Sequence, residues 1–108
     1  MGTARKQHEW LKFLKFFSEQ NAGRPTRLGV FERCGDFVND YWLENGLGLR
    51  GVTFEERNDH VSAQILLDGF THVVENAERI ELVYGSNGID DGLNVIDSEG
   101  RTSILRFD

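Results

Sequence analysis

Three glycines in the middle of the sequence have the spacing of a dinucleotide-binding turn. Gly46, Gly48 and Gly51 form the pattern G-x-G-x-x-G. In a cofactor site this turn follows a strand and opens a helix, whose N-terminal amide groups bind the pyrophosphate. Here apolar and polar residues alternate after Gly51, with Val52 and Phe54 as apolar members, and a period of two indicates a strand. The sequence therefore predicts a strand at this place, and no nucleotide or other cofactor.

The three histidines, His8, His60 and His72, are far apart in the sequence and predict no metal site. His8 and Glu9 begin a zinc-binding helix motif, but Lys12 occupies the position where the second ligand histidine is required. We interpret His8 as a polar residue in the first turn of a helix. His60 lies beside a predicted turn, where an exposed imidazole is expected.

His72 has the strongest claim to a role among the histidines. It ends the segment Asp68-Gly-Phe-Thr-His, which we place between two strands. We expect its side chain to hold this connection in place. The alternative is a catalytic base, which needs a partner group that the sequence does not supply.

Cys34 is the single cysteine, so the chain can form no internal disulfide. A nucleophilic thiol needs a neighbouring base that stabilises the thiolate, and no sequence feature provides one. We predict a half-buried structural thiol at the end of a strand. Together with the lack of a recognisable signal peptide or apolar membrane span, this predicts a reducing, cytoplasmic location.

Acidic residues gather in three places, and paired carboxylates can bind Ca²⁺ or divide acid and base roles. None of the groups has the alternation of oxygen ligands that a calcium loop requires. The asparagine, aspartate and glycine residues between positions 87 and 92 are typical of turns. We therefore predict turns rather than metal sites at these groups, which are Asp36 with Asp40, Glu55 and Glu56 with Asp59, and Asp90 with Asp91.

Tyr41, Trp42 and Tyr84 are the aromatic residues that could form a surface for a ligand or a partner. An antiparallel sheet leaves one face free, and aromatic side chains dominate binding surfaces. Alternatively, the three side chains complete the core or shield its edge. The sequence leaves both interpretations open.

Charge is distributed unevenly along the 108 residues, which form one predicted domain, 1–108. Residues 1–33 hold seven Lys and Arg against three Asp and Glu, whereas residues 34–108 hold five against fifteen. An acidic body repels phosphate backbones and anionic lipids. We therefore predict no binding to nucleic acid or membranes. For the basic first third we favour a solvated helix face over the alternative of a basic docking patch.

The N-terminal segment has apolar residues at the spacing of an amphipathic helix. Trp10, Phe13, Leu14 and Phe17 recur at the spacing of one helix face. Leu11 and Phe16 widen that face, so we expect a partly enclosed helix. It should begin near Thr3 and end around residues 21–23, before Pro25.

From residue 24 onward apolar and polar residues alternate with a period of two, which predicts strands. Residues 37–44 also fit one and a half helical turns, and we favour a strand. Polar residues 57–60 form a hairpin turn, and Gly100 suits the left-handed position of another. The pattern predicts an α+β fold in which one N-terminal amphipathic helix packs on a curved antiparallel meander of about six to seven strands, a sheet that can close into a half-barrel. Predicted strands cover residues 24–33, 37–44, 49–56, 61–67, 79–84, 93–97 and 101–107.

Four segments in order resemble a family of small bacterial proteins that is known only as a domain of unknown function. They span residues 10–18, 41–52, 67–74 and 95–102, which is nearly the whole chain. The chain departs from the family pattern at Gly48, where proline is expected, and at Asn76-Ala77, where His-Pro is expected. The resemblance supports the predicted fold and implies no reaction.

These observations leave two hypotheses for function. The first is a non-enzymatic accessory or interaction domain, as a homodimer or with a protein partner, that binds through an exposed sheet face or edge. The second is a small-ligand-binding protein or weak hydrolase with a pocket between helix and sheet, using His72 and nearby carboxylates. A deep, partly polar pocket that contains His72 would favour the second hypothesis, and a filled core with a flat aromatic patch would favour the first.

Overall fold

The computed structural model describes residues 3–34, 36–85, 88 and 90–107. It contains one helix followed by seven strands, which confirms the predicted α+β class and strand number. Parts of the predicted turns at 34–36 and 85–92 lie outside the described residues. The elements are α1 (Thr3–Gln20), β1 (Pro25–Cys34), β2 (Phe37–Arg57), β3 (His60–Leu67), β4 (Phe70–Val74), β5 (Ala77–Tyr84), β6 (Asp90–Asp97) and β7 (Thr102–Phe107).

All seven strands belong to one antiparallel sheet in the order β4-β3-β2-β1-β7-β6-β5. The sheet curls into a half-barrel, with β4 and β5 as its two edges. Alternate residues of each strand point inward, and the alternating burial of β3 and β7 follows this rule. The fully buried side chains of this interior include Leu28, Leu49, Ile65, Leu93, Val95 and Leu105.

Strand β2 contains the three glycines of the nucleotide-like pattern. No helix begins at Gly46 or Gly51, so the predicted strand is confirmed, although the two strands expected at 37–44 and 49–56 are one continuous strand. Its first half pairs with β1 as far as Gly48, and its second half pairs with β3 from Leu49 onward. A Cβ atom at Gly48 would lie 3.3 Å from the carbonyl oxygen of Gly23. The middle glycine therefore gives room for the chain that leaves α1.

Helix α1 packs one stripe of side chains onto the sheet. The rings of Phe17 and Phe107 lie 5.8 Å apart, and Trp10 meets Phe54 edge-on at 5.7 Å. The prediction that Leu11 and Phe16 enclose the helix is wrong, since they are 49% and 66% exposed. The physical reason is that the sheet is curled around its own interior, so only one face of the helix has a partner.

The second half of β2 has no β1 residue beside it, and α1 lies along this edge. The Val52 amide donates a hydrogen bond to Ser18 Oγ at 2.8 Å, and the Ser18 hydroxyl donates to the Leu14 carbonyl at 2.6 Å. One serine therefore joins the helix to the strand and satisfies a backbone amide that β1 does not reach.

The tight turns have the backbone conformations that their residues favour. Asn58 and Asp59 both have positive φ, 51° and 68°, which is the pattern of a type I′ hairpin. Gly100 has φ 84°, as predicted for the hairpin between β6 and β7. Local turn chemistry therefore determines two of the sheet's connections.

Candidate interaction surface

The four predicted site residues do not converge. His72 lies on β4 and Tyr84 ends β5, and these strands are the opposite edges of the sheet. Tyr41 and Trp42 are neighbours on β2, but they point to opposite faces because strand residues alternate. Tyr41 pairs with the buried Val30 and Trp42 pairs with Gly29. The structure therefore contains separate surfaces instead of one site.

The prediction that His72 lies in a connection between strands is wrong, because it is the third residue of β4. The turn before it is shorter than expected and consists of Asp68 and Gly69, with φ 82° at the glycine. His72 pairs with Ile65 on β3. Its ring points inward, where Nε2 lies 3.0 Å from Ser103 Oγ on β7.

The His72 and Ser103 pair has the residue types of a nucleophile and its base, but not their accessibility. Ser103 is 1% exposed, so its oxygen cannot reach a substrate. No carboxylate among the described residues hydrogen-bonds the His72 ring, whereas a catalytic triad uses one to orient it. Burial, and then the positive charge of Arg101, lower the pKa of His72. The pair is a structural bond that joins β4 to β7 across the half-barrel.

Because the pKa of His72 is lowered in the folded protein, acid is expected to destabilise the fold through this residue. The unfolded chain binds the proton more readily, so the contribution of His72 is complete above its ordinary pKa of 6.5 and declines as pH falls below that value. The free energy of unfolding, measured with urea between pH 7.5 and 5, should decrease toward acid. His72→Gln should flatten this decrease.

His60→Gln is the control for the acid effect. His60 is exposed beside the β2–β3 turn, as predicted, and its Nδ1 lies 2.8 Å from Asn76 Oδ1. The His60 variant retains His72 and should retain the wild-type pH dependence. Equal slopes in wild type and His72→Gln would contradict the proposed origin of the effect.

Trp42 packs against Gly29 on the outer face of β1. A Cβ atom at Gly29 would lie 2.7 Å from Trp42 Cε3 and 3.0 Å from the Tyr41 carbonyl oxygen, so only glycine leaves space for the indole. The Arg27 guanidinium lies 5.2 Å from the indole ring, within cation–π distance. Trp42 is nevertheless 55% exposed. The indole therefore packs against β1 on one side and is exposed to solvent on the other.

Strand register places further apolar side chains beside Trp42. Gly29 pairs with Trp42 on one side and with Ile104 on the other, and Phe31 is two residues along the same face. We call this surface the outer-face patch. A small cavity of about 110 Å³ adjoins the indole. The patch comprises the apolar residues Phe31, Val38, Trp42 and Ile104, with Arg27, Arg33, Asp40 and Arg106 around them.

The sequence singled out Trp42 but missed Arg27 and Gly29. A glycine inside a strand indicates close approach of another group, and this signal was present at Gly29. Nothing in the sequence specified that the approaching group is Trp42. That pairing depends on the β1–β2 register, which contains two irregularities between residues 26 and 29.

A second open surface lies between α1 and β2. This groove has a volume of about 540 Å³, and its lining is mainly apolar. His72 does not line this groove. The groove is therefore not the His72-containing pocket that the second hypothesis expected between helix and sheet. The groove is lined by Leu11, Lys12, Leu14, Lys15, Ser18, Glu19, Gly51, Val52, Thr53 and Leu66.

The remaining predicted groups add no site to these surfaces. The side chains of His8 and Cys34 lie outside the described part of the chain. Among the residues with described positions, no group of three or more His, Cys, Asp or Glu side chains has the geometry to hold a metal ion. Within the same residues, no helix has the length and apolar content that crossing a membrane requires.

Comparison of the chain with protein-family models, with curated proteins and with solved structures found no match. The resemblance to a small bacterial family therefore stays a prediction.

Proposed function

We propose that this chain is a non-enzymatic interaction domain that pairs with a second copy of itself through the outer-face patch. The proposal includes the cytoplasmic location and the bacterial family expected from the sequence. The observation that carries it is an exposed indole held against Gly29 and Arg27, on a sheet whose other face consists mainly of buried apolar side chains. An exposed aromatic patch was the feature expected of an interaction domain, whereas a ligand-binding enzyme was expected to have a pocket that contains His72.

Trp42 has the properties of an interface anchor. Tryptophan is enriched among the residues that contribute most to binding, especially where the side chain is already held in its bound position. Gly29 beneath the indole and Arg27 beside it restrict its orientation before binding. Little side-chain entropy therefore remains to be lost when a partner covers the ring.

Charges of both signs around the patch allow contacts with a second copy. Asp40 is opposite Phe31, whereas Arg33 is opposite Val38 on the same face. A twofold interface brings each residue of the patch against residues of the same patch. Such an arrangement can set Asp40 of one copy against an arginine of the other while the apolar centres meet.

Trp42→Ser is expected to weaken self-association by at least about thirtyfold, which corresponds to a hot-spot loss of about 2 kcal/mol. Sedimentation velocity across a concentration series gives the dissociation constant of each protein. Tyr84→Ser is the matched control, because Tyr84 is 61% exposed and lies on an edge strand outside the patch. It should associate like the wild type.

Gly29→Ala provides a second test without removing the indole. The added methyl group would displace Trp42 from its seat, so this variant should also weaken association. Circular dichroism and thermal unfolding identify loss of fold in either variant. A wild-type protein that stays monomeric at the highest concentration, or folded variants that associate normally, would refute self-pairing.

Binding of a small ligand is the second candidate function, and the groove between α1 and β2 is the observation that favours it. Hydrolysis is disfavoured, because the serine that His72 contacts is buried. Ligand binding at the groove is independent of the outer-face patch, because none of the patch residues lines the groove.

A further inference from the structure

The groove between α1 and β2 has apolar side chains on both its helix side and its sheet side. Leu11 and Leu14 come from the helix, and Val52 and Leu66 come from the sheet. Its volume of about 540 Å³ lies within the range of small-molecule sites in proteins. Gly51, which pairs with Leu66, leaves the bottom of the groove without a side chain. The groove is therefore shaped for an apolar chain.

The hydroxyl of Ser18, which lines the groove, is already engaged in hydrogen bonds. It accepts from the Val52 amide and donates to the Leu14 carbonyl. A ligand placed deep in the groove would therefore find few free hydrogen-bonding groups. An occupant with polar groups along its length would lose hydration without compensation.

Two lysine side chains of α1 border the groove. Lys12 and Lys15 are one helical turn apart and both are exposed. Neither has an ion-pair partner among the side chains that the structure describes. Glu19 lies one turn further along α1, so the positive charge is concentrated toward the start of the groove. An occupant with a single anionic end complements this arrangement.

We propose that the groove binds a free, unbranched aliphatic carboxylate, with its chain between Leu11, Leu14 and Leu66 and its carboxylate at Lys12 and Lys15. The apolar walls bind the methylene groups, which gain free energy when they are removed from water. The two ammonium groups select an anionic end over a cationic one. The site is separate from the self-pairing surface and does not depend on it.

Isothermal titration calorimetry with dodecanoate, below its micelle concentration, tests the site directly. Dodecyltrimethylammonium has the same chain with the opposite charge, and acetate has the carboxylate without the chain. Wild-type protein should bind dodecanoate at least about tenfold more tightly than the cation, and acetate should not bind measurably. Equal affinity for the two long-chain compounds, or no binding of dodecanoate, would overturn the proposal.

Two pairs of variants locate the binding. Lys12→Gln with Lys15→Gln should weaken dodecanoate binding about tenfold, whereas Arg50→Gln with Arg79→Gln removes the same charge from exposed positions outside the groove and the patch and should not. Leu11→Asp should abolish binding by placing a like charge in the wall, whereas Phe16→Asp changes an exposed residue that does not line the groove. Loss of binding in both members of either pair would refute the assignment.

Further controls distinguish the groove from the outer-face patch and from a lipid surface. Trp42→Ser should bind dodecanoate normally, so failure of self-pairing and failure of the groove are distinguishable. Anionic vesicles made of phospholipids with no free fatty acid should not bind the protein by co-sedimentation. Binding to such vesicles without binding to monomeric dodecanoate would indicate a lipid-surface contact and overturn the proposal of a free carboxylate.

Discussion

Gly92→Ala is expected to unfold the protein or to lower its free energy of unfolding by at least about 3 kcal/mol, the upper range for overpacked sites. Gly92 lies on β6 between its partners Val83 and Arg106. A Cβ atom here would lie 1.9 Å from the carbonyl oxygen of Leu105. The clash is with the backbone of the neighbouring strand, which cannot move away without breaking the ladder between β6 and β7.

Gly100→Ala is the matched control for this clash. Gly92 and Gly100 both have positive φ, 155° and 84°, but nothing lies within 4 Å of a Cβ atom added at Gly100. Its substitution should therefore cost only the backbone strain of about 1–2 kcal/mol. Urea unfolding followed by circular dichroism compares the two variants. Equal losses at both positions would show that close strand contact is not the cause at Gly92.

Phe17→Ala is expected to lower the free energy of unfolding by about 3–5 kcal/mol, the usual cost of removing a buried phenylalanine. The Phe17 side chain is 1% exposed, and its ring lies 5.8 Å from Phe107 and 6.0 Å from Phe13. Truncation would leave a cavity between α1 and the sheet. Since α1 is the one described helix, little other structure can close that cavity.

Phe16→Ala provides a control at the adjacent position. Phe16 is the same residue type in the same helix, but it is 66% exposed. Its truncation should change stability by no more than about 0.5 kcal/mol. Chemical unfolding with the three proteins under one set of conditions measures both values. A loss at Phe16 as large as that at Phe17 would contradict the helix orientation.

The orientation of α1 also determines the proposed ligand site. Phe17 and Leu14 hold the helix against the interior, and Ser18 joins it to Val52. Leu11, Lys12 and Lys15 are consequently turned toward the groove and solvent. A variant that loosens α1 should therefore weaken dodecanoate binding even if its lysines are intact.

Elements with a strong local pattern could be predicted from the sequence. The stripe of α1 and the alternation in β3 and β7 are periodicities within a single segment, and Gly100 is a turn residue between two strands. Such patterns depend on neighbours in the chain, so they can be read without knowledge of the fold. The exposure of Leu11 and Phe16 could not be read in this way, because it depends on which face of α1 the sheet covers.

The candidate site was predictable only in part. Tyr41, Trp42, Tyr84 and His72 were chosen by residue type, and of these only Trp42 belongs to the proposed interface. The contact of Trp42 with Gly29 depends on the register between β1 and β2. The irregularities in that register cannot be recognised from the local sequence.

Residue order alone determined one amphipathic helix, most of the period-two strands and the tight turns at 57–60 and 98–100, because these follow from interactions between near neighbours. Tertiary structure decided that 37–57 is one strand, that His72 reaches Ser103 31 residues away, and that Trp42 faces solvent. The physical reason is that curling and register of a sheet result from packing of the whole chain, and they select which of the available side chains meet.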